Sequence, residues 1–457
     1  MQKIKSVLLW LTPLLSLVLA AILDLSGFSP AITIVASITF WCAVWWIFEP
    51  VPIPITSLIP LAVFPLTGVL NSTQVAQSYG HHLILLLLGG FILSQSMVYS
   101  GAHKRIALIM CNLFGGNSPK RLVMGFMAAA ALLSMWISNT ATTLMLLPVA
   151  LAVLQSSNDK QLTTMLLLGI AYAANVGGIG TPIGTPPNAL FLSAYQETTG
   201  TSIGFLGWMK WSVPLVLIFI PLMMLWLTRN VKSQHSITLP ETGKWTTIEK
   251  RVMWVFSITA LLWITRQEPF GGWRELTGFT TANDASVAML ACIAMFVIPD
   301  GNKGKLLDWK TANQIPWGIL LLFAGGICLA KAFSVSGLSD LIGHQLAAFT
   351  SLPLILLIAA IALTVTFLTE ITSNTATTAM LMPILAAAAI ATDIEPALLM
   401  LPAAMSASCA FMLPVATAPN AIVYGTDRVA IQQMVKNGFG LNLLGTLLIA
   451  LVCYLLI

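Results

Sequence analysis

The chain has 457 residues, 57% of them hydrophobic and 8% charged, with a mean hydropathy of +0.89 and a formal net charge of +5. A soluble domain carries about 25% charged residues, so this composition excludes one and identifies a polytopic membrane protein. The apolar stretches run well past the roughly 10 residues of a membrane β-strand and show no period-two alternation, so the spans are helical and a barrel is excluded.

In chain order, Val7 to Leu23 follows Lys3 and Lys5 in the manner of a signal peptide. No small-residue cleavage pattern follows and further spans do, so it reads as an uncleaved first transmembrane helix. Apolar runs bounded by Pro, Gly or charge then predict spans at 32–49, 53–70, 83–100, 211–228, 252–266, 282–299, 318–336 and 439–457. Four regions depart from this pattern. Residues 122–155 and 353–391 are long, apolar and broken in the middle by Ser-Asn-Thr, which predicts re-entrant hairpins. Residues 162–195 and 397–425 are broken by Gly, Pro and Asn clusters, which predicts unwound helices. Cys42, Cys111, Cys292, Cys328, Cys409 and Cys453 are scattered through apolar segments without Cys-x-x-Cys spacing, so neither a disulfide framework nor a zinc site is indicated.

Basic residues collect in loops left in the cytoplasm, and this sets the orientation. With the N-terminus inside, 17 of the 21 Lys and Arg residues fall on the cytoplasmic side, among them Lys104, Arg105, Lys160, Arg229, Lys232, Arg428 and Lys436. Lys210, Arg266 and Arg274 fall on the other side, and Lys331 is placed near a helix end, where it would snorkel. The reading is an all-α polytopic protein of about 11 spans, N-terminus inside and C-terminus outside. The positive charge belongs to loops. No basic patch with interleaved aromatics is present, so nucleic acid is not expected as a partner.

A polar segment recurs inside the hydrophobic chain. Ser138-Asn139-Thr140-Ala141-Thr142-Thr143 returns as Ser373-Asn374-Thr375-Ala376-Thr377-Thr378, an offset of 235. Leu85-Leu86, Gly89-Gly90, Leu93, Ser100 and Gly101 return at an offset of 236, and Pro182, Thr185, Pro187, Asn188 and Ala189 at 232. Three blocks in one order describe a duplicated unit, and an odd number of spans per unit would invert the copies, a known transporter construction. The expected organisation is an N-terminal helix at 1–31, a first repeat at 32–231, a cytoplasmic linker at 232–251 and a second repeat at 252–457.

Polar residues in hydrocarbon must find a partner or line a wet cavity. Two half-helices aiming their positive N-terminal ends at one point can hold a small anion without a buried Arg, with hydroxyl and amide donors completing the shell. Asn also accepts a cation through its carbonyl, and Ser and Thr offer both a proton and lone pairs, so one motif can face an anion and sodium together. Intramembrane Ser and Thr commonly just cap kinks or join helices. The duplication, with each copy followed by a Thr-x-Pro-Asn break, favours a binding role.

These motifs resemble the divalent anion/sodium symporter family, the di- and tricarboxylate carriers with two Ser-Asn-Thr signatures at the tips of opposed hairpins. The resemblance spans nearly the whole chain. It includes Glu49-Pro50-Val51-Pro52 followed by Thr56-Ser57-Leu58, the break Gly184-Thr185-Pro186-Pro187-Asn188, and Thr369-Glu370-Ile371-Thr372. It implies one sodium site at Ser134, Ser138, Asn139 and Gly184, and a second at Thr369, Thr372, Asn374 and Ala416. Substrate carboxylates would meet Ser138, Asn139 and Thr140 on one side and Ser373, Asn374 and Thr375 on the other, with Thr185 close by. The family usually has Pro where this chain has Ala418. Co-transported sodium, no organic cofactor, an elevator-type homodimer and a multi-pass location in the plasma (inner) membrane are likewise implied.

Other ionisable residues are read structurally. Glu370 is expected as an acceptor tying its hairpin to a neighbouring helix, Glu49 as interfacial, and His81-His82 as a solvated pair without metal-ligand spacing. A hydrolase triad is not expected, since no His falls in a broken helix, and a channel fits two facing half-sites less well than alternating access. The function expected is sodium-coupled import of succinate, malate and fumarate, with a sodium-independent exchanger or a proton-coupled symporter as the alternative. Citrate is expected to compete poorly because no Arg or Lys is predicted at the site.

Overall fold

The computed structural model describes residues 2–115, 118–154, 159–229, 243–341 and 353–457. Lys232 and the rest of the expected linker up to residue 242 lie outside these, as do Gln155, His235, His344 and the side chain of Lys3. Among the described residues the fold is helical, with one isolated bridge between Pro299 and Lys305. In order come α1 (Gln2–Leu25), α2 (Pro30–Phe48), α3 (Ile53–Thr56), α4 (Leu58–Thr67), α5 (Ser72–Tyr79), α6 (His82–Ser100), α7 (Ala102–Gly115) and α8 (Pro119–Ser134). Next are α9 (Asn139–Leu154), α10 (Lys160–Gly177), α11 (Pro186–Thr199), α12 (Phe205–Thr228), α13 (Thr247–Ile264), α14 (Gly272–Leu276) and α15 (Asp284–Val297). Then follow α16 (Trp309–Ala312), α17 (Trp317–Ser336), α18 (Leu354–Leu368), α19 (Asn374–Ala391), α20 (Pro396–Ala407), α21 (Ala418–Tyr424) and α22 (Ile431–Leu456).

Eight of the described helices are long and apolar enough to cross a membrane. Their starts follow local chemistry. Ser29 caps α2 ahead of Pro30, Asp159 caps α10 through the N–H groups of Gln161 and Leu162, and Thr246 with Glu249 closes a capping box on α13. Burial separates centre from periphery. Every residue of α10 from Leu162 to Gly177 is buried, whereas α1 leaves Trp10 74% and Leu17 68% exposed. A helix apolar all round is buried in protein or covered by lipid, and these two are the opposite cases.

The expected span at 53–70 is instead two short helices that meet at Ser57. Pro60 has no N–H to offer the Thr56 carbonyl, so the helical ladder fails there. Ser57 replaces it with tertiary bonds: its carbonyl accepts from the Tyr79 hydroxyl and its Oγ accepts from Trp46 Nε1 at 3.2 Å. Helix α7, which was not expected, packs along α8. His81 and His82 are half-buried rather than solvated, with ring centroids 4.4 Å apart, and His81 caps α6. Lys331 reaches Glu197 at 3.3 Å, and Arg266 binds the buried Asp284 at 2.6 Å. All six cysteines are buried, and no cluster of metal-ligating side chains occurs among the described residues.

Candidate functional site

Both Ser-Asn-Thr segments sit where one helix has ended and another begins. Helix α8 ends at Ser134 and α9 starts at Asn139; α18 ends at Leu368 and α19 starts at Asn374. In each case a hydroxyl five residues before the asparagine donates to its side-chain oxygen. Ser134 Oγ lies 2.6 Å from Asn139 Oδ1, and Thr369 Oγ1 lies 2.7 Å from Asn374 Oδ1. Ser138 Oγ accepts from Ala141 N at 3.3 Å, so the first motif also caps its own helix.

Across from these tips lie two interrupted helices. Helix α10 gives way to a 3-10 turn at Gly178–Gly180, and α11 restarts at Pro186 behind the N-cap Thr185. Helix α20 ends at Ala407, and α21 restarts at Ala418 behind Thr417, whose Oγ1 accepts from Asn420 N at 3.2 Å. Unwinding frees backbone groups that must be paired when buried. Asn188 Nδ2 takes the carbonyls of Gly178 at 2.9 Å and Thr181 at 2.7 Å, Trp208 Nε1 takes Ile179 O at 2.8 Å, and Ser212 takes Gly180 O at 3.0 Å. In the second break Asn420 Nδ2 takes Ala410 O at 3.0 Å and Leu413 O at 3.1 Å. Glu370 completes that break: its carboxylate accepts from the N–H groups of Phe411, Met412 and Leu413 at 2.7–3.0 Å and from Asn442 Nδ2 at 2.8 Å. This is the structural-acceptor arrangement expected for Glu370.

The four restarts open on one cavity of about 730 Å³. Ser138, Asn139, Thr140, Gly184, Thr185, Thr372, Ser373, Asn374, Thr375 and Ala416 all line it, so each of the named substrate residues meets the others there. Ser134 and Thr369 sit behind the lining, bonded to the two asparagines. The N-terminal turns of α9, α11, α19 and α21 all contribute residues, which brings backbone donors and positive dipole ends toward a bound anion. The glycines keep oxygen atoms close together. A Cβ on Gly184 would stand 2.9 Å from Ser134 O and 3.0 Å from Met135 O and would collide with Gly178 O, and one on Gly178 would stand 2.5 Å from Asn139 Oδ1. Neutral carbonyl, amide and hydroxyl oxygens in such a cradle are what a small hard cation takes as ligands. In the second set Thr369 Oγ1 also reaches Ala407 O at 3.0 Å, and Thr372 Oγ1 meets Thr377 Oγ1 at 2.6 Å.

Two polar lining residues, Asn175 and Lys5, escaped the sequence reading, and a third, Thr417, entered it only as the repeat partner of Thr185. Asn175, buried in the last turn of α10, donates to Thr417 Oγ1 at 3.1 Å and so joins the first interrupted helix to the second. Its place in the other copy, at the offset of 232, is Ala407, so the repeat gave no signal; a lone Asn deep in an apolar span was the only one. Thr417 stands in the lining as Thr185 does. Lys5 of α1 lines the cavity too, which corrects the expectation that no basic side chain reaches it. Glu49, exposed at the end of α2, is the acidic residue of the same lining.

The family model that matches is the citrate transporter family (CitMHS), over residues 43–401. A protein of Staphylococcus saprophyticus named sodium-dependent dicarboxylate transporter SdcS is 40% identical over 98% of this chain and 90% of its own length. The protein of the same name from a bovine strain of Staphylococcus aureus is 40% identical over 92% of this chain and 85% of its own. Among solved structures, the YdaH transporter of Alcanivorax borkumensis superposes with a TM-score of 0.58 at 14% identity, covering 83% of this chain and 86% of that one. MtrF of Neisseria gonorrhoeae gives 0.59 at 14% identity, covering 86% and 84%; these two likenesses concern the fold alone. With family and relatives all transporters, the chain is a carrier and not an enzyme, a multi-pass protein of the bacterial plasma membrane. It belongs to the divalent anion/sodium symporter family of dicarboxylate carriers.

Proposed function

We propose that this protein imports C4-dicarboxylates, succinate, malate and fumarate among them, together with sodium by alternating access. The observation that carries the proposal is the convergence of both Ser-Asn-Thr tips on one cavity, each with a hydroxyl held against its asparagine oxygen. The donors facing the cavity suit carboxylates, and the oxygens behind them suit sodium. Sodium-dependent dicarboxylate transport is the activity in the names of the relatives, and it supports this reading.

In this account Ser134, Ser138, Asn139 and Gly184 hold one sodium, and Thr369, Thr372, Asn374 and Ala416 the other. Ser138, Asn139, Thr140, Thr185, Ser373, Asn374 and Thr375 hold the substrate. Residues 32–231 and 252–457 form two inverted repeats, with re-entrant hairpins at 122–155 and 353–391, the N-terminus inside and the C-terminus outside. Two copies assemble as a homodimer through the helices outside the hairpins, and the site-bearing part moves as an elevator. Coupling has an energetic reason, because a dianion entering against a negative-inside potential meets about 2.3 kcal/mol per charge per 100 mV, which co-moving sodium offsets.

The charged side chains of the cavity lining are Lys5 and Glu49, and their charges cancel. A third carboxylate would therefore lack a net positive partner, at a cost of several kcal/mol if it were desolvated. Succinate, malate and fumarate should compete with one another for uptake, and citrate should compete poorly at neutral pH. Citrate outcompeting succinate there would overturn the substrate assignment.

A further inference from the structure

A second large cavity, of about 1200 Å³, lies away from the carrier site. Its lining brings together Lys160 at the start of α10, Arg229 just after α12, Arg428 in the loop after α21, and Lys436 in the second turn of α22. These four cations come from three well-separated stretches of chain, and Asp427 is the single acidic residue of the lining. Among the described residues Lys160, Arg428 and Lys436 take part in no ion pair. Arg229 is held in place differently, with its guanidinium 3.7 Å from the centroid of the Trp226 ring and Nη1 donating to Trp226 O at 2.7 Å. The first turn of the 26-residue α22, whose N-cap Ala430 makes no side-chain cap, opens on the same cavity; Gln433 N pairs with Ala430 O, so the N–H groups of Ile431 and Gln432 are the ones left to a ligand or solvent.

Gathering unpaired positive charge in one concavity repels itself unless an anion shares the site. Three of the cations stand at the ends of long helices, the depth at which phospholipid headgroups sit, and basic pockets between spans at that depth suit phosphate. We propose that this cavity binds a phosphate-bearing anion, the headgroup of an acidic phospholipid or free phosphate. Occupancy would tie α10, α12 and α22 together at one face of the carrier. On the proposed orientation that face lies at the inner leaflet, and this placement alone rests on the orientation.

The test uses the full-length protein in neutral detergent and follows its thermal unfolding midpoint, since a ligand that binds only the folded state raises it. Short-chain phosphatidylglycerol, short-chain phosphatidylcholine and inorganic phosphate are titrated separately. A saturable rise with phosphatidylglycerol but not phosphatidylcholine assigns the site to lipid, and a rise with phosphate at comparable concentration assigns it to the free anion. Either response should weaken at high salt. It should be lost in the triple variant K160Q/R428Q/K436Q and weakened about fivefold in K160Q or R428Q alone, the ~1 kcal/mol one such charge contributes near a membrane surface. No rise with either anion, an equal rise with phosphatidylcholine, or an unchanged response in the single variants would each overturn the proposal. None of these readouts depends on succinate or sodium transport, so the two proposals fail separately.

Discussion

At the scale of single residues, the two asparagines carry the account, because each stands between a proposed cation and a proposed carboxylate. Asn139→Ala and Asn374→Ala should abolish succinate uptake while the protein still inserts and purifies intact; normal uptake by either would remove the site assignment. Ser134→Ala and Thr369→Ala should act more narrowly. Each removes one oxygen from behind the lining, so the sodium concentration for half-maximal uptake should rise about tenfold, ~1.4 kcal/mol, with the substrate requirement changed less. Glu370 makes the contrasting case. Glu370→Gln replaces an acceptor of four bonds by a group that must itself donate, leaving at least one buried N–H of residues 411–413 unpaired at about 1–3 kcal/mol. A lower unfolding midpoint with an unshifted sodium dependence is expected, and the reverse pattern would place Glu370 among the coupling groups. The hydroxyl-and-amide residues were legible because they are duplicated against an apolar background. Asn175 and Lys5 were not, since one has no repeated copy and the other reaches the cavity from a helix whose sequence says only that it is apolar.

At the scale of elements, what makes the site is interruption. The breaks after α10 and α20 persist because Asn188, Asn420, Trp208 and Glu370 satisfy the carbonyl and N–H groups that unwinding exposes. Asn188→Ala should leave the carbonyls of Gly178 and Thr181 without their amide partner, at about 1–3 kcal/mol for each left unsatisfied. Thermal stability should fall, and sodium affinity with it, because Gly178 and Gly184 belong to the same cradle; an unchanged midpoint and unchanged uptake would contradict this. These breaks could be read in the sequence from their Gly, Pro and Asn clusters. The break at Ser57 could not, because one Thr-Ser pair and prolines are tolerated in membrane helices, and its stability comes from the distant Tyr79 and Trp46. Helix α7 escaped for the opposite reason. Its basic start, with His103, Lys104 and Arg105, reads as a loop, while its packing along α8 is a tertiary fact.

At the scale of the whole molecule, the proposed inverted repeats explain why four helix starts converge on one cavity, and the lining residue Lys5 of α1 puts that cavity next to the N-terminal helix. On the proposed orientation, with the N-terminus inside, the cavity would face the cytoplasm. Val415 lines it and is 76% exposed, whereas all six native thiols are buried. Val415→Cys should therefore react with a membrane-impermeant maleimide from the cytoplasmic side over a low background, and sodium with succinate together should slow the reaction. The measurement that tests the central claim most directly is uptake of radiolabelled succinate by proteoliposomes holding the purified full-length protein, with and without an inward sodium gradient. The account predicts saturable, concentrative uptake that requires the gradient and is lost in Asn139→Ala and Asn374→Ala. Uptake of equal size without sodium, driven instead by internal succinate or a proton gradient, would contradict it.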